Sequence, residues 1–519
     1  MQLANQDQLA YYLTALARRK KMRPIGTPKW ADKILEGDGL AKSIAGFIFN
    51  SVRNNRFRFG RSPKRMIFRK GWEAGLPEHI SQADFDGLTE EEQSDFRTAF
   101  RLSLPDMVLH SIVGNFLHHK LENILSDHCH AYRQRRGQPT AVQAVRKLQA
   151  AQDKWVVKFD VESFNETVDH KILRASLAEN VYLEMDDEEQ RVVAGVVEAL
   201  FALSAEANNV SGKGLLVGSG LTPPLTNLYL TPLDRFIETT HTPFVRYGDD
   251  LVAFCDTEER ARSLLDGLRK QVEALRQVPS SSSAFNTTMC WDRGLRLRFN
   301  TNLDADAYQH AHQRSLKQKS DIFQPGDPFD FIGFEFAGDR VFIRQETLGK
   351  VKSRIAQYTQ RSKTKIQGAL DKDDHTWGTI RSDEAEEWAV PSVRYVQHAI
   401  QRLNTLLGFN RDGFRSGFRG REKYVFTPGY GFPWNVLKCV DYEDVQDQFR
   451  ILDAYAYGRL QELARGSEAI VVPIDNQARL KKSAFEFPGA SGRRDLRAMG
   501  LRTFKDVYNH FPKGNNETL

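Results

Sequence analysis

The chain has 519 residues, of which 40% are hydrophobic and 27% charged, and its formal net charge is +6. Such a length can bury a large core and split into several domains, and the composition is that of a soluble globular protein, not a fibrous or disordered one. There is no apolar run long enough for a membrane span, Met1–Asp7 does not read as a secretory signal, and four scattered cysteines without a Cys-x-x-Cys pair exclude a zinc ribbon and fit a reducing cytoplasm.

In chain order, a helix is predicted over 7–19, followed by the basic run Arg18–Arg23. Charge then becomes uneven: Gly39 to Trp72 holds nine Lys/Arg and no acid, interleaved with Phe47, Phe49, Phe57, Phe59, Phe68 and Trp72. Basic side chains hold phosphates while aromatic rings stack on unpaired bases. Arg56, Arg58, Arg61, Lys64 and Arg65 are therefore expected to contact nucleic acid. Residues 73–100 turn acidic and are expected to form a helical surface insertion. Arg101 leads into a helix over 107–125, and Tyr132-Arg133 precedes another over 140–149.

Trp155–Phe159 is a short β-branched, apolar run, so a strand, and Asp160 closes it. Helices follow over 170–178 and 186–203. Gly218–Asn227 reads as a loop feeding a helix: glycines allow close backbone approach and Thr222-Pro223 is a natural helix start. Asn227 is expected on the helix face toward the site. Residues 244–254 are two β-rich runs flanking Tyr247-Gly248-Asp249-Asp250, a hairpin pattern. Two adjacent carboxylates repel unless a cation neutralises them. With Asp160 they supply hard oxygen ligands suited to Mg²⁺, which takes few carboxylates plus substrate phosphate. Two such ions about 3.5–4 Å apart clamp the attacking and leaving oxygens of a phosphoryl displacement. The pattern points to nucleotidyl transfer.

Beyond the hairpin, a helix is predicted over 258–277 and a serine loop over 279–283. Phe331–Phe336 and Val341–Arg344 read as a hairpin. From Arg340 to Leu370 there are eight Lys/Arg against Glu346 alone. A basic amphipathic helix over 348–369, with Lys350, Lys352 and Arg354, suits a duplex backbone. Residues 371–387 read as a link, and helices are expected over 391–408 and 445–464.

Four segments, in order over roughly residues 100–345, resemble the conserved motifs of reverse transcriptases. Phe159-Asp160-Val161-Glu162-Ser163-Phe164-Asn165, with the trailing Asp169-His170, resembles the first catalytic motif. Gly214 to Leu230 is similar to the segment that positions template and nucleotide. Tyr247-Gly248-Asp249-Asp250 matches the metal-binding hairpin. Leu316-Lys317-Gln318-Lys319-Ser320, followed by Phe329–Phe334, is similar to the lysine motif and the primer grip. The resemblance implies an α/β (α+β) right-hand polymerase fold: a basic N-terminal region and fingers over 1–100, fingers and palm over 101–345, a thumb over 346–425 and a helical C-terminal region over 426–519. It implies RNA-directed DNA synthesis from dNTPs on an RNA template with Mg²⁺, Mn²⁺ being an alternative. Asp160, Asp249 and Asp250 would hold the metals, with the Val161 carbonyl as a further ligand. Lys319 would assist departing pyrophosphate. Arg101, Arg133, Phe164, Asn165, Gly218, Thr222, Asn227 and Tyr247 would contact nucleotide or template.

Three positions depart from the family's pattern. Asn165 stands where a Phe or Tyr normally excludes the ribose 2′-OH, with Phe164 one place early. Leu216-Val217 replaces Pro-Gln before Gly218, and Gly248 stands where Ala is common. A ribonucleotide polymerase, a template-independent polymerase or a non-catalytic RNA-binding scaffold of the same fold remain alternatives. No histidine-nicking nuclease segment follows, the Val-Thr-Gly box of retron enzymes is absent, and Thr222-Pro223 replaces the Ser-Gln of diversity-generating enzymes. The remaining resemblance is to divergent bacterial reverse transcriptases of antiphage defence and abortive infection. It implies a cytoplasmic protein with an associated non-coding RNA, which could form a homo-oligomer.

Overall fold

The computed structural model describes residues 6–21, 29–60, 63–69, 79–93, 96–150, 153–162, 164–208, 210–275, 278–279, 320–370 and 440–465, with short pieces at 380–381, 388–389, 399–400, 403, 409–411 and 424–426, and residue 504. It is a mixed helix and sheet structure. The N-terminal helices α1 (Gln6–Lys21), α2 (Lys29–Glu36) and α3 (Asp38–Arg53) pack on one another. They bury Leu9, Leu13, Ile34, Ala45 and Ile48. Strands β1 (Lys64–Arg69), β2 (His79–Ile80) and β3 (Phe96–Arg101) form an antiparallel sheet in the order β2-β1-β3. The short helices α4 (Gln82–Asp86) and α5 (Glu90–Gln93) lie between β2 and β3.

The segment expected as a helical insertion over 73–100 thus ends in a strand. Phe96, Thr98 and Phe100 alternate with Arg97, Ala99 and Arg101, a two-residue period, and Phe96 and Phe100 are buried. Pairing with β1 outweighs the helix-forming composition upstream.

Helix α6 (Leu104–Leu121) starts at Ser103, whose hydroxyl accepts from the Asp106 N–H, and α7 (Gln138–Gln149) follows. Next come β4 (Trp155–Phe159), β5 (Val161–Glu162), α8 (Phe164–Thr167), α9 (His170–Asn180), α10 (Asp187–Asn208), α11 (Thr222–Tyr229) and α12 (Thr231–Thr239). After β6 (Phe244–Tyr247), β7 (Asp250–Cys255), α13 (Glu258–Ala274), β8 (Val278–Pro279) and β9 (Asp321–Phe323), the antiparallel strands β10 (Phe329–Phe331), β11 (Phe334–Ala337) and β12 (Arg340–Ile343) form a small sheet. Helix α14 (Gln345–Leu370) then packs on α15 (Tyr442–Arg465).

At the centre is the antiparallel sheet β6-β7-β4-β9. Alternation along its strands splits the core in two. Val157, Phe159, Leu251, Ala253 and Cys255 pack with the helices α6 and α9–α13. Val156, Val252 and Phe254 face the other way, onto α7, β10–β12, α14 and α15. Lys158 shares that second face and is buried. Its Nζ donates to Asp330 Oδ1 at 2.7 Å, and Arg344 Nη1 meets Asp330 Oδ2 at 2.7 Å. This ion cluster ties the central sheet to β10–β12, because a buried charge persists only when paired. Among the described residues, no helix is long and apolar enough to cross a membrane.

Candidate active site

β4 ends with Phe159 opposite Leu251 of β7. One further step along this ladder brings Asp160 level with Asp250. β6 and β7 are closed by the pair Tyr247 and Asp250, so Gly248 and Asp249 form a two-residue turn. Gly248 has φ +71°, whereas Asp249 is not among the positive-φ residues. That is the sign pattern of a II′ turn, whose first central position favours glycine. Asp160 is 8% exposed. Its backbone N–H donates to the Ser320 hydroxyl at 3.1 Å, and its carbonyl accepts from that hydroxyl at 3.3 Å. Asp249 and Asp250 are half-buried.

The electrostatics of these carboxylates fit a cation. Burial, then the charges of Asp160 and Asp249, push the Asp250 carboxyl up to about 7, while Lys158 pulls it down. Added positive charge would favour the ionised form of such a group at neutral pH. Among the described residues no set of three or more His, Cys, Asp or Glu makes a ready-made metal cage.

Behind the turn lies Arg246, fully buried, a residue that the sequence reading did not single out. Its Nε and Nη2 donate to the two carboxylate oxygens of Asp234 on α12, each at 2.6 Å. Its Nη1 donates to the Gly248 carbonyl at 2.9 Å and to Asn227 Oδ1 at 3.3 Å. One guanidinium thus anchors the turn carrying Asp249 to a helix beneath it. The only signal in the sequence was an arginine inside an otherwise apolar strand, which needs a buried partner.

Residues 91–281 match the family model for reverse transcriptase (RNA-dependent DNA polymerase). The chain carries a reverse transcriptase domain. That domain indicates an RNA-directed DNA polymerase, a nucleotidyltransferase. No curated protein matches the chain.

Within the reverse transcriptase domain, several residues expected at the nucleotide do other work. All five N–H groups of Arg133 are engaged: Nε and Nη2 with the Glu122 carboxylate, Nη2 also with the Glu122 carbonyl, and Nη1 with the Ser126 and Cys129 carbonyls. It is a structural clamp. Asn227 is fully buried; its Nδ2 donates to the Ala131 carbonyl at 2.8 Å, and its Oδ1 accepts from Arg246 and from Cys129 Sγ. The Thr222 hydroxyl donates to the Leu216 carbonyl at 2.6 Å, closing the preceding loop. Phe164 is buried edge-to-face against Tyr229, centroids 6.0 Å apart, so its ring lies in the core and not against a ribose. Half-buried Asn165 accepts at its carbonyl from the Leu215 N–H at 2.6 Å.

Gly218 serves a close approach between loop and strand. It has φ +110°, and a Cβ there would stand 2.7 Å from the Phe100 carbonyl oxygen. Gly218→Ala is therefore expected to cost about 1–3 kcal/mol in a denaturant melt, from backbone strain plus the clash. Gly212, at φ +77° with nothing within 4 Å of a Cβ, is the control. Its alanine variant should lose measurably less.

Arg56, Arg101, Lys64 and Arg65 are exposed, and Arg65 lies over the Phe85 ring at 5.8 Å. Arg58 instead pairs bidentately with Glu206 at the surface, at 2.5 and 2.6 Å. Lys352 is half-buried with its Nζ 5.9 Å from the Tyr455 ring centroid, and Arg354 is half-buried. Arg61, Lys319 and the Lys350 side chain fall outside the described residues, as do the links and helices expected over 371–387 and most of 391–408.

Proposed function

We propose that this protein copies RNA into DNA by two-metal nucleotidyl transfer at Asp160, Asp249 and Asp250. The observation that carries this reading is the register of β4 against β7, which aligns Asp160 with Asp250 beside the Gly248–Asp249 turn. Asp160, Asp249 and Asp250 would hold the ions, with the Val161 carbonyl as a further ligand. Two Mg²⁺ ions, or Mn²⁺, bound there would lower the barrier for primer hydroxyl attack on the α-phosphate and neutralise the departing pyrophosphate. The carboxylates fix the position of the growing end, and Lys319 donates a proton toward the leaving group. In this reading the sheet β6-β7-β4-β9 with α9–α13 is the palm, β1–β3 with α6 and α7 the fingers, β10–β12 the primer grip and α14 the thumb. Arg56, Lys64, Arg65 and Arg101 supply an exposed phosphate-binding surface, and Tyr247 borders the nucleotide.

The resemblance to antiphage-defence and abortive-infection enzymes extends the proposal to a cytoplasmic defence role with a dedicated RNA as template. Asn165 favours one variant of the chemistry, acceptance of ribonucleotides, because an amide can hydrogen-bond a 2′-OH that an aromatic ring would exclude. The test is incubation of purified protein with a primed RNA template and labelled dNTPs or rNTPs, in separate reactions. Incorporation of dNTPs is the expected result, with rNTPs used at a reduced but measurable rate. Incorporation of rNTPs alone would replace DNA synthesis by RNA synthesis, and incorporation of neither would leave an RNA-binding scaffold.

A further inference from the structure

Tyr132 sits beside the turn that carries Asp249, in a conformation that the surrounding structure imposes. Its φ is +57°, a region that residues with a Cβ rarely adopt. Both neighbours explain how it stays there. The Ala131 carbonyl accepts from buried Asn227, and the Arg133 guanidinium is fully engaged with Glu122 and the loop carbonyls. Just upstream, the His130 N–H donates to the Arg246 carbonyl and the Arg246 N–H donates to the His128 carbonyl, each at 2.9 Å. The segment 128–133 is thereby stitched to β6 and α11 on both sides of the strained residue. Strain maintained by this much buried hydrogen bonding marks a position that the fold over-determines.

What the strain achieves is an exposed ring at the carboxylates. Tyr132 is 48% exposed, one of few large hydrophobic side chains so open among the described residues. Its ring centroid is 6.3 Å from that of Tyr247, tilted by 42°. Its Cε2 lies 3.9 Å from where a Gly248 Cβ would stand, so the ring lies against the turn itself. Burial, and then the charges of Asp249 and Asp250, raise the phenol, so it stays protonated and neutral beside two acids.

We propose that Tyr132 is a stacking platform for the 3′-terminal nucleotide of the primer, an inference that rests on the polymerase reading of the three aspartates. A growing end held at Asp249 and Asp250 would lie beside the Tyr132–Tyr247 pair, the aromatic surface flanking that turn. Stacking on a ring tolerates sequence, because every base has a π-face, and this suits an enzyme that must accept any terminal base.

The test uses the full chain and primer–template duplexes whose terminal primer nucleotide is intact or abasic, with binding read by fluorescence anisotropy. Tyr132→Gly removes the ring but relieves the positive φ, which offsets the added chain entropy of glycine, so its melting temperature should stay close to that of the native protein. It should bind the intact duplex about 10- to 100-fold more weakly, in line with the loss of one stacked base, and the abasic-ended duplex less than ~3-fold more weakly. Tyr132→Phe should bind both as the native protein does. Equal weakening on both duplexes, no weakening on either, or relief by an abasic template base instead would overturn the primer assignment. Incorporation by the Asp249→Ala, Asp250→Ala variant is the separate control. Activity there would remove the polymerase reading, whereas an inactive control beside an unaffected Tyr132→Gly would remove only the stacking role.

Discussion

Replacing Asp249 and Asp250 with alanine abolishes nucleotide incorporation and leaves the fold intact. The loss follows from the number of groups removed. Asp160 alone, at the end of β4, cannot hold two cations against a triphosphate. Metal stabilisation of a transferring phosphoryl group is worth several kcal/mol, and each ~1.4 kcal/mol is a factor of ten in rate. A decrease of about 10³-fold or more is expected in a primer-extension assay. The fold survives because the turn depends on Gly248 at φ +71° and on the Gly248 carbonyl bound by Arg246, which the substitutions leave in place.

Stability gives a second readout with an opposite sign. Burial and neighbouring acids raise Asp250 from its ordinary value of 3.8 to about 7. A carboxyl whose folded pKa lies above its unfolded one binds more protons in the folded state. Metal-free native protein therefore loses stability as pH rises from about 4 through 7. The double variant lacks this penalty and should melt at the same temperature as the native protein or higher at pH 8 without Mg²⁺. Adding Mg²⁺ should then raise the melting temperature of the native protein and not that of the variant. Full incorporation by the double variant would end the polymerase reading.

The parts of the site that could be read from the chain are those set by local backbone pattern. The Gly-Asp-Asp corner, the strand ending at Asp160 and most of the flanking helices follow from two- and 3.6-residue periods, and the observed helix ends differ from the expected ones by a few residues. Helix α3 was hidden by Lys42, Phe47, Phe49 and Arg53, which read as part of a nucleic-acid surface, and no element was expected over α2. The structural contacts of Arg133, Thr222, Phe164 and Asn227 went unread for one reason. Each is a polar or aromatic residue next to a catalytic segment, and spacing alone cannot tell whether such a side chain points to substrate or fastens a loop. Arg133 and Asn227 fasten the segment that holds Tyr132; Thr222 fastens the loop before α11. Lys158 and Asp330 escaped notice because they lie 172 residues apart in sequence, and Arg246 because its partner Asp234, only 12 residues upstream, sits on a separate helix whose fold back onto the strand no local pattern announces.

Arg246 yields the largest expected effect on stability. It is fully buried and its forked pair with Asp234 is dry on both sides, with side-chain exposures of 0% and 1%. Removing one partner leaves an uncompensated charge in the core, so Arg246→Met and Asp234→Asn should each cost about 3–5 kcal/mol in urea denaturation. Removing both charges together, as Arg246→Met with Asp234→Leu, should recover much of that loss, because two apolar side chains replace a desolvated ion pair. Activity should not recover with it. The double variant still lacks the Nη1 bond to the Gly248 carbonyl, which loosens the turn that presents Asp249. A misplacement of about 1 Å in a reacting geometry can cost ~100-fold in rate, so a similar decrease in kcat is expected in the refolded, stable double variant. A double variant that is both stable and fully active would mean that the Gly248 carbonyl contact is incidental to the hairpin's position. In that case the charge pair would be a matter of core stability alone.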